Sequence, residues 1–159
     1  MPSTTRLPAS NAAPGESYQG SGSWYWPIGN TWCYISSKFG YRDANISGWS
    51  FHGGIDLAGG NGKLHGAPVY ATRAGYVIAA VTSNSGYGIY VLIDHGDGYS
   101  SLYAHMSARY VEVGNYVTQG QMIGRVGNTG NSRGAHLHFE IRYYGEKKDP
   151  LNYVKNPNG

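Results

Sequence analysis

Apolar residues along this chain come in short runs rich in valine, isoleucine and tyrosine, and glycine, asparagine or aspartate closes most of them. That rhythm predicts strands joined by turns. β-Branched and aromatic side chains pack on a pleated surface, while the closing residues supply turn conformations. Residues 69–81 and 88–94 read as two strands, with a polar loop at 83–86 between them. His95-Gly96-Asp97-Gly98 predicts a tight reversal into a third strand, 99–105, so this stretch reads as a hairpin. A further strand is expected at 122–126, a glycine-rich loop at 127–134, and a last strand at 135–144 that ends in Tyr144-Gly145-Glu146-Lys147. Residues 115–119 suit a short turn, and no heptad or amphipathic-helix period stands out. The expected fold class is all-β: mostly antiparallel sheets in a two-layer core, with long loops forming a groove and little helix.

Composition refines this picture. With 159 residues the chain can bury one core, and its 25 glycines and 7 prolines argue against a helical bundle. Residues 1–23 carry almost no large apolar side chain and cannot offset their ordering entropy. They are expected to be a flexible linker or tail, with a folded domain over 24–155 and a short tail at 156–159. The net charge of +3 is scattered, and Lys147-Lys148 is the one adjacent basic pair, so no nucleic-acid partner is expected. No stretch approaches the ~18 apolar residues of a membrane span, and the first residues lack the apolar centre of a signal peptide. The sequence is therefore expected to be an excerpt or to be exported by another route. Cys33 stands alone, which excludes an internal disulfide and a cysteine-rich metal site.

The chemistry lies in three histidine-bearing elements. In Ala135-His136-Leu137-His138-Phe139-Glu140-Ile141 the period-2 alternation sends Leu137, Phe139 and Ile141 to one face of a strand and His136, His138 and Glu140 to the other. In His52-Gly53-Gly54-Ile55-Asp56 two glycines let the backbone bend tightly, so the imidazole and the carboxylate can converge. Two histidines and one carboxylate are suitable zinc ligands that leave a fourth position open, as a catalytic site requires. His105 follows in Tyr103-Ala104-His105-Met106, and a zinc peptidase needs non-ligand groups of this kind. Each element also has a plain reading: surface histidines on a strand, an aspartate capping a glycine turn, a satisfied histidine at a strand end. His65 and His95 fall outside the set, His95 as a turn residue. Trp24, Trp26, Trp32 and Trp49 suit either core packing or a substrate groove, and Arg42 and Asp43 suit a local pair.

The order and spacing of these elements resemble the LytM/lysostaphin family of zinc endopeptidases. The resemblance also rests on Phe39-Gly40-Tyr41-Arg42, Gly66-Ala67-Pro68-Val69-Tyr70-Ala71, Asp94-His95-Gly96 and Gly127-Asn128-Thr129-Gly130, and runs from about Phe39 to Leu151. It implies one zinc ion held by His52, Asp56 and His138, with His105 and His136 as non-ligand catalytic histidines. It further implies hydrolysis of peptide cross-links in bacterial peptidoglycan by a monomer that is extracellular or associated with the cell wall. Two alternatives belong to other classes: an inactive wall-binding or hydrolase-activating module of the same fold, and a zinc amidase cutting the sugar–peptide junction.

Overall fold

The computed structural model of the protein describes residues 23–42 and 50–159. Segment 1–23, apart from Ser23, lies outside these residues, as do Asp43 and Trp49. The strands are β1 (Tyr34–Ser37), β2 (Gly40–Arg42), β3 (Ser50–His52), β4 (Ile55–Ala58), β5 (Pro68–Tyr70), β6 (Gly75–Val81), β7 (Ile89–Asp94), β8 (Tyr99–Arg109), β9 (Tyr116–Val117), β10 (Met122–Val126), β11 (Leu137–Tyr143) and β12 (Glu146–Lys148). A single 3-10 turn, Pro150–Asn152, is the only helical element among the described residues. The all-β antiparallel expectation is met.

Ten strands form one continuous sheet in the order β9-β6-β7-β8-β11-β4-β1, with β12 added to β11 and β10 paired to both β8 and β5. β2 and β3 make a separate two-stranded ladder. β8 is the pivot. Residues Tyr99 to Ala104 pair with β11, and its far end, from Met106 to Arg109, pairs with β10. The sheet thus branches around one apolar cluster that includes Ile55, Leu57, Val91, Ile93, Tyr103, Met106, Ile123, Leu137, Phe139 and Ile141.

Two sequence expectations change. The run 69–81 is two strands rather than one. Between them the Thr72 N–H donates to the Tyr103 hydroxyl (2.9 Å), and the Thr72 hydroxyl donates to the Tyr25 carbonyl (2.6 Å). With these partners outside any ladder, the chain can leave β10 and turn toward β7 without stranding buried polar groups. Tyr144-Gly145 ends β11 as expected, but as the centre of a hairpin: positive φ at both residues (48° and 84°) returns the chain as β12.

His95 is not merely a turn residue. It is 2% exposed, with Nδ1 donating to the Ala74 carbonyl (2.8 Å) and Nε2 accepting from the Ser101 hydroxyl (2.9 Å). Burial pushes its pKa down from 6.5 to about 4, against the upward pull of the Ala74 carbonyl. Folded His95 therefore stays neutral where the unfolded chain takes up a proton. Its contribution is complete above pH 6.5 and is lost as pH falls toward 4, by roughly 3 kcal/mol across that window. Urea unfolding of metal-free protein at pH 7.5, 5.5 and 4.5 should show this fall, and His95→Gln should flatten it. Parallel curves for the two proteins would refute the assignment.

Candidate metal centre

β3 ends at His52, β4 carries Asp56 and β11 carries His138, and the β4–β11 register sets His138 directly opposite Asp56. Leu137, Phe139 and Ile141 are fully buried in the core, so pleating turns His138 and Glu140 to the other face. Gly53 and Gly54, expected to permit a tight bend, serve a narrower purpose. A Cβ on Gly54 would lie 2.3 Å from the Phe139 carbonyl oxygen, so β4 approaches β11 more closely than a side chain allows. One on Gly53 would meet the flexible end of Lys147. Gly54→Ala should therefore cost about 1–3 kcal/mol by overpacking and weaken metal retention by parting Asp56 from His138. Denaturant unfolding and metal titration together check this, and an unchanged protein in both would contradict it.

Hydrogen bonds set the tautomers. His52 donates from Nδ1 to the Lys38 carbonyl (2.9 Å), which leaves Nε2 facing Asp56 Oδ1 at 3.2 Å. His138 donates from Nε2 to Glu140 Oε2 (2.8 Å), which leaves Nδ1 facing the same Asp56 oxygen at 2.8 Å. The two nitrogens that face Asp56, which donate to it while protonated and can take a metal once deprotonated, lie with the carboxylate oxygen within 4.8 Å of one another. Ligand atoms of a tetrahedral zinc are about 3.3 Å apart at ordinary bond lengths, and the 3.2 and 2.8 Å separations from Asp56 Oδ1 to the two imidazoles are close to that spacing. A donor set of two imidazoles and one carboxylate, each imidazole oriented from its far nitrogen, fits zinc.

Burial disfavours charge throughout this cluster, and pairing overcomes it. Burial raises the Asp56 pKa, but hydrogen bonds and charge from His138 and His52 outweigh it and hold the carboxyl well below the usual carboxylate range. Burial lowers that of His138, and Asp56 with Glu140 raises it above its ordinary value. Glu140 is 1% exposed and would be raised by burial, yet His138, Tyr87 and Arg142 bring it down to about 2. Its Oε2 accepts from the Tyr87 hydroxyl (2.7 Å), its Oε1 from Arg142 Nε (2.9 Å), and Lys147 Nζ stands 3.6 Å away.

The other two predicted histidines face the same cleft. His105 donates from Nδ1 to the Thr129 carbonyl (2.7 Å), and His136 from Nδ1 to the Gly134 carbonyl (2.8 Å). Each therefore keeps a bare Nε2, that of His136 lying 3.9 Å from Asp56 Oδ1. Their rings are 4.8 Å apart. His105 sits at φ 62°, an uncommon conformation for a non-glycine residue, with its backbone N–H bonded to the Tyr87 carbonyl (2.8 Å). Burial, followed by the neighbouring His136 and His138, holds its pKa below 6.5 despite the Thr129 carbonyl. The cleft encloses about 740 Å³, and its lining includes Ser36, Tyr87 and the loop 131–136 beside the five predicted residues. That is ample for several residues of an extended peptide.

The structure thus brings together His52, Asp56, His105, His136 and His138, and leaves His65 and His95 out of the cleft lining. Sequence reasoning placed Glu140 on the correct face but gave it no task. Tyr87, the Thr129 carbonyl and the Lys38 carbonyl were missed. A carboxylate two residues after a candidate ligand was the available signal for Glu140; the backbone carbonyls left none.

Comparison with known proteins agrees with this geometry. The profile of Peptidase family M23 matches residues 50–150. The DD-carboxypeptidase/endopeptidase Mpg of Neisseria meningitidis is 45% identical over 118 residues, 74% of this chain and 26% of Mpg. The murein hydrolase activator NlpD of Escherichia coli is 36% identical over 132 residues, 83% of this chain and 31% of NlpD. Among solved structures, a zinc-containing peptidase from Vibrio cholerae superposes with a TM-score of 0.72 at 30% identity, covering 81% of this chain and 39% of that one. The chain spans less than half the length of these curated relatives. A family match over most of the sequence, together with a shared fold, bears out the resemblance read from the motifs: the chain belongs to Peptidase family M23.

Proposed function

We propose that this chain is a zinc-dependent endopeptidase that cuts peptide cross-links of bacterial peptidoglycan, acting at the cell wall. The observation that carries the reading is the convergence of His52 Nε2, Asp56 Oδ1 and His138 Nδ1 in a cleft that also receives the bare Nε2 atoms of His105 and His136. Those three ligand atoms would hold one zinc ion, which when bound supplies a Lewis acid for the scissile carbonyl and lowers the pKa of a water. His105, kept neutral by burial, accepts the proton of the attacking water at Nε2. His136, on the same wall, donates in its protonated form from Nε2 to the developing oxyanion, and the proton taken up by His105 passes to the leaving amine as the C–N bond breaks. Both imidazoles are oriented by carbonyls of the loop after β10, so neither has to reorganise as charge develops. One chain supplies every group, in keeping with a monomer. The name of the 45%-identical Mpg favours bonds between D-amino acids over glycine bridges.

Chelation and reconstitution test this directly. Hydrolysis of purified walls should stop after metal removal and return with one equivalent of zinc, and mass spectrometry should find cut cross-links. Full activity in metal-free protein would sink the proposal, and release of intact stem peptides free of glycan would make the chain an amidase. A second reading, a module that activates other hydrolases, is favoured by the likeness to NlpD. It predicts that the zinc-loaded chain alone leaves walls intact and speeds cutting only when a partner hydrolase is added.

A further inference from the structure

Arg133 is the one lysine or arginine lining the cleft among the described residues. It stands in the loop between β10 and β11, three residues before His136, and no acidic partner pairs with it among the described residues. The other cations near the centre are already committed: Arg142 lies 2.8 Å from Glu140 and Lys147 3.6 Å from it. The backbone around Arg133 is held on both sides. The Asn131 N–H donates to the Gly86 carbonyl (2.8 Å), the Ser132 hydroxyl to Asn128 Oδ1 (2.6 Å), and the Gly134 carbonyl receives His136 Nδ1–H. A guanidinium is thus presented from a pinned loop beside the centre that would cut the peptide. The rest of the lining is neutral apart from the histidines and Asp56. Planar paired N–H donors match the two oxygens and the charge of a carboxylate, whereas an uncharged glycine bridge offers them only single carbonyl acceptors and no countercharge.

We infer that Arg133 selects the substrate: it receives a free carboxylate carried by the peptide next to the scissile bond, so the cleft is built for anionic cross-links rather than uncharged ones. The inference rests on the endopeptidase reading and narrows it to one substrate class.

The test uses the full zinc-loaded chain and two synthetic cross-linked peptides that differ only in a carboxylate or a carboxamide beside the scissile bond. The wild type should favour the carboxylate about tenfold in kcat/KM, mainly through KM, and added salt should shrink the preference. Arg133→Gln should bring the ratio to about one, and Arg133→Lys should restore part of it. Binding of the same pair, followed by fluorescence anisotropy, separates the two readings. If neither peptide is cut but the carboxylate form still binds more tightly in an Arg133-dependent way, the endopeptidase reading fails and the anion site stands. If both are cut equally well, or if Arg133→Gln keeps the preference, the anion site is overturned while the endopeptidase reading survives.

Discussion

His138→Ala should leave the chain folded but without zinc, and should lower wall hydrolysis by at least about a thousandfold. The loss follows from the ion's share of the chemistry, several kcal/mol of transition-state stabilisation, at a factor of ten for each 1.36 kcal/mol. Survival of the fold follows from the partners left behind. Glu140 would keep Tyr87, Arg142 and Lys147, and Asp56 would keep His52, so no buried carboxylate loses all compensation. Leu137 and Phe139 on either side would still fill the core. Circular dichroism with elemental analysis should report a native spectrum and almost no bound zinc. A variant that holds one zinc per chain, or cuts at the wild-type rate, would refute the ligand assignment.

The opposite pattern is expected of His105→Ala and His136→Ala. Each should retain one zinc per chain, because neither touches a ligand through a hydrogen bond that sets its tautomer. Turnover should nevertheless fall by ~10²–10⁴, the usual worth of a positioned proton-transfer group. The double variant should be little worse than the poorer single one, since the two rings serve the same transition state. Loss of zinc in either single variant would mean that the residue acts structurally, and unaltered turnover would remove it from the mechanism.

How much of this was legible in the sequence depended on the range of the signal. The ligand strand was readable because alternation is local: Leu137, Phe139 and Ile141 had to be buried, which left His138 and Glu140 on the site face. The joining of His52, Asp56 and His138 depended on ordered motifs across the chain, and the structure explains it through the β4–β11 register. The Glu140 network was hidden because its hydroxyl partner, Tyr87, comes from 53 residues away. His95 was misread because Asp-His-Gly-Asp-Gly is turn chemistry, while burial of its ring depends on Ala74, just before β6, and on Ser101, inside β8. The break in 69–81 was hidden for a similar reason, since Tyr103 and Tyr25 supply the partners of Thr72.

β8 is paired with β7, β10 and β11, and the last of these strands brings His138 to Asp56. During synthesis, the segment with His52, Asp56 and His105 leaves the ribosome well before the strand that completes the ligand set. A nascent or C-terminally truncated chain that stops in the glycine-rich loop has an open sheet and two ligands instead of three. The order of the strands thus works as a timer for the site: the three-ligand set is complete only when nearly the whole domain has been made.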